Sequence, residues 1–238
     1  MRAIISAATA FSCFPLMAEA QDTSFFFDVA LSSALLDRGE QIGGQTAEFY
    51  AGAEVDAGSA LLYTTVYRLL PVGSDRNDFD NETDYTIGAI WEGPGYAADV
   101  SANWLTYPGE EAKESLELAA TITLDLVFEP GVAVFRDVHT DDWGLEAYAG
   151  PRWERDAWTY YALGRIGFVN LGDGSASRSY GGFETGAIRA LSDGVAVGFI
   201  FRSDAADEDS YDVGTTADGV ATGNSTGTSL VLSLSYAH

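Results

Sequence analysis

The sequence predicts an all-β fold: a closed, antiparallel, up-and-down transmembrane β-barrel of twelve strands, with ten to fourteen as the range. Three observations predict it. Apolar and polar residues alternate with a period of two over runs of about 10 residues, the length a tilted strand needs to cross a bilayer and well above the mode for soluble strands. Tight turns and longer connections alternate along the chain without exception. Aromatic residues gather at both ends of the runs.

Residues 1–20 are expected to be a secretory signal peptide and residues 21–238 the barrel domain. Arg2 supplies the positive end, Ala3 to Met17 is mostly apolar, and Ala18-Glu19-Ala20 gives a small-x-small cleavage pattern ahead of Gln21. Cys13, the single cysteine of the sequence, falls inside this segment. A lipidated Cys13 is the alternative reading, which the bulky Phe11 suits poorly and which would truncate the export core. The barrel domain itself has no cysteine and needs no disulfide in an oxidising compartment.

Asp and Glu number 36 against 12 Lys and Arg, a net charge of −24. The leader removes one charge of each sign and leaves that net unchanged. Such a surface repels phosphate backbones, so nucleic acid is excluded as a partner. The acids coexist with 47% hydrophobic and 13% aromatic residues, which a solvated disordered chain lacks. No uninterrupted apolar run after residue 20 reaches the length of a transmembrane helix, and 26 glycines with six prolines suit strands joined by turns.

Taken in order, the first strand is placed near 25–35 and the second near 46–56. In the second, Ala47, Phe49, Ala51, Ala53 and Val55 alternate with Thr46, Glu48, Tyr50, Gly52 and Glu54. The third, 59–69, is apolar on both parities from Leu61 to Leu70, which leaves its register open. The fourth covers 83–91. The fifth, 95–105, alternates Tyr96, Ala98, Val100, Ala102 and Trp104 with Ala97, Asp99, Ser101 and Asn103. The sixth, 115–128, sets Leu116, Leu118, Ala120, Ile122, Leu124 and Leu126 against Glu117, Ala119, Thr121, Thr123 and Asp125. The seventh, 131–137, is short, with Arg136 at the outer rim. The rest are placed at 143–153, 157–169, 180–190, 194–203 and 228–237, the last with Leu230, Leu232, Leu234 and Tyr236 on one face.

The connections support this division. Asp56-Ala57-Gly58-Ser59, Glu92-Gly93-Pro94-Gly95, Glu129-Pro130-Gly131, Glu154-Arg155-Asp156 and Ser192-Asp193-Gly194 are tight turns of suitable residue types. The connections between them, 36–45, 70–82, 106–114, 138–142, 170–179 and 204–227, are longer. Periplasmic turns and extracellular loops alternate in this way.

Phe25, Trp91, Tyr96, Phe128, Trp153, Trp158 and Tyr236 fall at the turn ends, and Phe49, Tyr85, Trp104, Trp143, Phe168, Phe183 and Phe201 at the loop ends. Two such rims match interfacial aromatic girdles. Arg189 falls on the lipid-facing parity, where a charge is costly away from an interface and a bulge would turn it inward.

The inward face carries the functional candidates. Glu48, Glu54, Asp99, Glu117, Asp125, Glu146 and Glu184 share it with Arg68, Arg152, Arg165 and Arg202. Acidic rings favour cations in a pore, whereas a salt-bridged interior would fill the barrel and conduct nothing. Twelve strands lie between the eight that side chains fill and the 16–18 of open channels.

Two acid groups lie in loops: Asp75, Asp78, Asp80, Glu82 and Asp84, then Asp204, Asp207, Glu208, Asp209 and Asp212. They are expected to form a solvated surface, with loosely bridged Ca²⁺ or Mg²⁺ as the lesser reading, because neither has the spacing of a calcium loop. No zinc spacing or phosphate-cradling glycine motif occurs, and no cofactor is expected. His139 in His139-Thr140-Asp141-Asp142 is the single histidine placed for acid–base work, and an exposed loop residue is its ordinary reading.

Asp28-Val29-Ala30-Leu31-Ser32-Ser33 followed by Arg38-Gly39, the Tyr107-Pro108-Gly109 loop and the strand Val132-Ala133-Val134-Phe135-Arg136-Asp137 resemble the TorF-type porin family of proteobacteria. The likeness is spread over roughly residues 28–150, and the aromatic that family carries before Arg-Gly is replaced here by Leu36-Asp37. It implies an outer-membrane barrel assigned as a porin largely by fold, with no catalytic residues to carry over. Such barrels end in an aromatic read by the barrel-assembly machinery, and Tyr236 here precedes Ala237-His238.

The expected function is a narrow porin-like channel for small solutes or cations, in contact with outer-membrane lipid and lipopolysaccharide. The alternative is a non-conducting structural or surface-interaction barrel, and an outer-membrane enzyme is the third reading.

Overall fold

The structure, a computed structural model, describes residues 23–72, 81–108, 114–174, 177–207 and 225–237. The expected leader 1–20 with Cys13, and Gln21, lie outside them. So do the loop acids Asp75, Asp78, Asp80, Glu208, Asp209 and Asp212.

The described strands, in chain order, begin with β1 (Thr23–Ser32), β2 (Leu35–Asp37), β3 (Glu40–Gly43), β4 (Thr46–Asp56) and β5 (Leu61–Pro71). Next come β6 (Glu82–Gly93), β7 (Tyr96–Thr106), β8 (Glu114–Leu124), β9 (Gly131–Asp137) and β10 (Trp143–Ala149). The series ends with β11 (Arg152–Arg155), β12 (Trp158–Asn170), β13 (Arg178–Ser192), β14 (Val195–Ala206) and β15 (Thr226–Ala237).

β1 pairs antiparallel with β4 on one side and β15 on the other. From β4 the ladder runs through β5, β6, β7, β8 and β9 to β10; from β15 it runs through β14 and β13 to β12, and β10 pairs with β12. β10 and β11 are one strand of the wall. They keep a single register against β12, from Tyr148 opposite Arg165 to Arg152 opposite Tyr161, and Gly150, whose N–H turns to the Phe128 carbonyl, and Pro151, which has no N–H, interrupt them. The sheet is therefore a closed antiparallel barrel of twelve strands. Closure matters because backbone N–H and C=O groups find no water in hydrocarbon, and an open edge would leave a row unpaired.

The outer face is apolar. Leu31, Ile87, Val100, Ile122, Ile166 and Leu232 are 45–69% exposed, a burden for a protein in water and favourable against lipid tails. Among the described strand residues, the charges of outward parity are Arg68, Glu114, Arg136, Arg155 and Arg189, all at or within three residues of a strand end. Long cationic side chains there reach the headgroup layer. Rings pair along both rims: Tyr85 with Trp104, Trp143 with Phe168 and Phe183 with Phe201 at the loop end, at 5.6–5.7 Å between centroids. At the turn end Trp153 and Trp158 each stack with Tyr160 at 5.9 Å. Phe25, Trp91, Tyr96 and Tyr236 complete that rim on the outward parity.

The inner face is built by a repeated device. Phe26 opposes Gly52, Tyr63 opposes Gly88, Phe135 opposes Gly144, Tyr148 opposes Gly131, Tyr161 opposes Gly186, and Tyr180 opposes Gly167. In each pair the ring lies flat where a Cβ of the glycine would stand. The rings thereby hug the wall, covering glycine backbone and leaving axial space.

Three expectations change, and the outward placing of Arg189 holds. Arg68 faces outward, because β5 turns Tyr63, Thr65, Tyr67 and Leu69 to the interior. Its guanidinium donates to the carbonyls of Leu69 and Glu82 at the loop rim, at 2.6 and 2.7 Å. The sixth strand ends at Leu124 rather than 128, so Asp125 lies exposed past its end and not in the lumen. Phe128 remains at the turn-end rim but sits in the connection, 56% exposed. Arg189 stays on the outer face over the Trp158 ring, 5.6 Å from its centroid, because the bulge falls after it, between Ala190 and Ser192. Finally, the first strand ends at Ser32 rather than 35, and the long connection after it carries a hairpin of its own, β2 and β3, which starts at Leu35.

Candidate functional site: the barrel interior and its hairpin

The hairpin forms because its turn suits it. Arg38 and Gly39 both have positive φ, 42° and 94°, the two-residue geometry that matches strand twist, with Gly39 at the more demanding position. Leu35, Leu36 and Ile42 flank the turn and are 2–7% exposed. Burial of each aliphatic contributes about 1.5–3 kcal/mol. Ordering costs roughly 1–2 kcal/mol for every residue of the hairpin, apolar or not, so these three aliphatics alone do not hold it and its polar contacts matter.

It docks inward. Ala34 N–H and C=O both bond Ser229 Oγ of β15, at 3.3 and 2.7 Å. Leu35 and Ile42 pack with Tyr67 and Leu69 of β5. Glu40 pairs with Arg178 of β13 at 2.5 Å, both side chains no more than 1% exposed. Arg38 pairs with Glu117 of β8 and covers the Phe135 ring of β9 at 3.6 Å. The hairpin thus touches walls on opposite sides, and it stands in the outer part of the lumen.

Below it the wall side chains are cross-bonded. Tyr63 OH donates to Asp99 at 2.9 Å, Tyr180 OH to Glu146 at 2.9 Å, and Tyr161 OH to Glu184 at 2.6 Å. Glu48 accepts from Ser32 Oγ at 2.5 Å and Tyr67 OH at 3.2 Å, and Glu54 accepts from Ser24 Oγ at 3.3 Å. Arg202 pairs with Glu184, and Arg165 holds Asp204 through two nitrogens, at 2.5 and 3.3 Å. Arg152 has inward parity near the turn end and is half-buried.

Of the sequence candidates, Glu48, Glu54, Asp99, Glu117, Glu146, Arg152, Arg165, Glu184 and Arg202 lie on the inward face, and Arg68 and Asp125 do not. The distribution is uneven. Arg165, Arg178 and Arg202 all stand on β12–β14, while Asp28, Glu48, Glu54, Asp84, Asp99 and Glu117 stand on β1–β8, a wall on which the described inward positions carry no base. Of these, Glu48, Glu54 and Asp99 are held by hydroxyls and Glu117 by the hairpin. Asp28, Arg38, Glu40 and Arg178 were missed from sequence. The Arg-Gly step between apolar residues was the available signal for the hairpin. Asp204, read as a loop acid, points inward because β14 continues to Ala206.

A cavity of about 30 Å³ lies between Asp28, Ser32, Glu48, Tyr50, Tyr67, Arg202 and Ser233. A larger hollow of about 480 Å³ is on the outer face, among Leu31, Ala187, Phe199, Phe201, Leu230 and Leu232, where lipid stands. His139 is exposed in the loop after β9, where Asp137 Oδ1 accepts its backbone N–H at 2.7 Å.

This defines a membrane-spanning β-barrel with a loop-filled interior. No family model and no curated protein matches the sequence. Among solved structures the chain is similar to LpxR from Salmonella typhimurium, at 10% identity over 90% of this chain and 99% of that one, with a TM-score of 0.53. A membrane-protein structure from work on in-meso crystallization is similar at 10% identity, covering 90% of this chain and 83% of that one, with a TM-score of 0.51. A loop-deletion mutant of OmpT, an outer membrane protein of Vibrio cholerae, overlaps at 9% identity over 91% of this chain and 98% of that one, with a TM-score of 0.41. At these identities the likeness is one of fold, and the fold is that of outer-membrane barrels.

Proposed function

We propose that the protein is an outer-membrane channel for small cations, shut in this conformation by its own first extracellular hairpin. One observation carries the reading. Residues 35–43 of a loop, and not wall side chains alone, reach across the outer lumen, and a loop anchored by two ion pairs, two bonds to Ser229 and a few aliphatics is removable. Twelve strands enclose more space than side chains fill, so displacement of the hairpin would leave a conduit. The base-free acidic wall of β1–β8 would favour cations within it. The resemblance of Asp28 to Ser33 and Arg38-Gly39 to TorF-type porins agrees with this, and so does a final strand ending in Tyr236, suited to the barrel-assembly machinery. Lipopolysaccharide would be the neighbour of the loop-end rim.

A second reading, a permanently closed structural barrel, is favoured by the cross-bonding of Arg165 with Asp204 and Arg202 with Glu184. A disulfide staple separates the two. A Cβ placed on Gly227 of β15 would lie 2.8 Å from that of Gln41, so Gln41→Cys/Gly227→Cys ties hairpin to wall after a small adjustment. In planar bilayers under rising voltage, the channel reading expects openings when the pair is reduced and none when it is oxidised. Equal behaviour in the two redox states would overturn it.

A further inference from the structure

We infer that the cavity between Asp28 and Glu48 is a binding site for one hard divalent cation. Asp28 stands midway along β1, on a register row that runs through Tyr50 and Tyr67 to Asp84. It is 8% exposed, lines the cavity, and no hydroxyl, amide or cation among the described residues bonds to its carboxylate. A buried charge left without a partner is costly, and the groups around it tell what would relieve that cost.

Glu48 reaches the same cavity, and all its bonds come from neutral hydroxyls, those of Ser32, Thr46 and Tyr67. Arg202 is the one base on the lining, and its Nε is engaged by Glu184. When ionised, the three carboxylates of Asp28, Glu48 and Glu184 share one guanidinium, which leaves a deficit of two positive charges. A divalent ion matches that deficit.

The donors also fit. Carboxylates of Asp28 and Glu48 and hydroxyls of Ser32, Tyr50, Tyr67 and Ser233 line the space beside Arg202 and the apolar Ala30, Ile200 and Val231, so its available ligands are all oxygen, with no imidazole or thiolate. Hard cations take such sets, whereas zinc and copper favour nitrogen and sulfur. A volume of about 30 Å³ admits an ion and little more. Two carboxylates, fewer than in tight calcium loops, place the affinity near that of weak extracellular sites, about 10⁻⁴–10⁻³ M. The site lies below the hairpin, and the inference stands whether or not the hairpin opens.

The test is equilibrium dialysis of the folded full-length protein in detergent, freed of metal by chelator, with Ca²⁺ as the probe and Mg²⁺ in parallel. One ion per chain is expected. Asp28→Asn, nearly isosteric, should weaken binding at least tenfold, and Ser233→Val, which fills the cavity and keeps both acids, should do the same. Asp141→Asn, in an exposed loop, should leave binding unchanged. Heat-modifiable gel mobility verifies that each variant is folded. Absence of saturable binding, or binding that survives both cavity variants and is lost with Asp141→Asn, overturns the proposal.

Discussion

The guanidinium of Arg38, at the tip of the β2–β3 hairpin, ion-pairs with Glu117 on β8 and lies 3.6 Å over the ring of Phe135 on β9, the strand opposite β1 in the closed ladder. One side chain from a loop thus spans the lumen. Hydrogen bonds to charged groups contribute about 1.5–3 kcal/mol. Arg38→Ala should therefore raise the open population at a given voltage, by roughly tenfold for each 1.4 kcal/mol lost. Glu117→Gln should do nearly as much, and the double variant little more than either alone. Bilayer recordings check this, and strictly additive effects would show that the two residues act separately.

Glu40 and Arg178 form the more buried anchor, at most 1% exposed. Removal of one partner strands a buried charge, at a cost of about 3–5 kcal/mol. Arg178→Met should expel the hairpin, and Arg178→Met with Glu40→Gln should largely restore it. Hydrogen exchange of residues 35–43 reads the difference: fast in the single variant, slow in the double.

The rings on the inner wall depend on the absence of a Cβ across the ladder. Gly186→Ala drives a methyl into the Tyr161 ring and should lower stability in urea by about 1–3 kcal/mol. Gly164→Ala is the comparison, because its nearest neighbour, the Ala149 carbonyl oxygen, would be 3.8 Å away, and it should change little. Equal losses at the two positions would mean that packing against the rings is not the cause.

Val100, 50% exposed at the middle of β7, marks the lipid belt. Val100→Arg should cost about 2–4 kcal/mol in bilayer refolding, as charges at the midplane of such barrels do. A cost near zero would place that face in water.

The wall was legible because alternation is a local property. Val100 and Asp99 differ by one residue, and one step in a strand reverses the face. Where both parities are apolar, as from Leu61 to Leu70, the rule has no contrast to work on, and Arg68 was turned the wrong way. Asp125 was misplaced because Leu126 and Phe128 continue the apolar alternation into the turn itself, which the Glu129 N–H closes by donating to the Leu126 carbonyl. The candidate site was half legible. Inward acids follow from parity, but the hairpin depends on Arg38, Glu117, Glu40 and Arg178 meeting across sequence separations that no local pattern encodes. Asp28 looked ordinary for the same reason, since its lack of a partner is a property of the packed interior.

The central claim, that a loop and not the wall closes this barrel, is tested most directly by single-channel conductance of a variant with residues 35–43 replaced by a short Gly-Ser linker. The account predicts a steady, cation-preferring current from the excised barrel and a silent baseline from the intact one at low voltage. An intact protein that conducts as freely as the excised form, or an excised barrel that passes nothing, would contradict it.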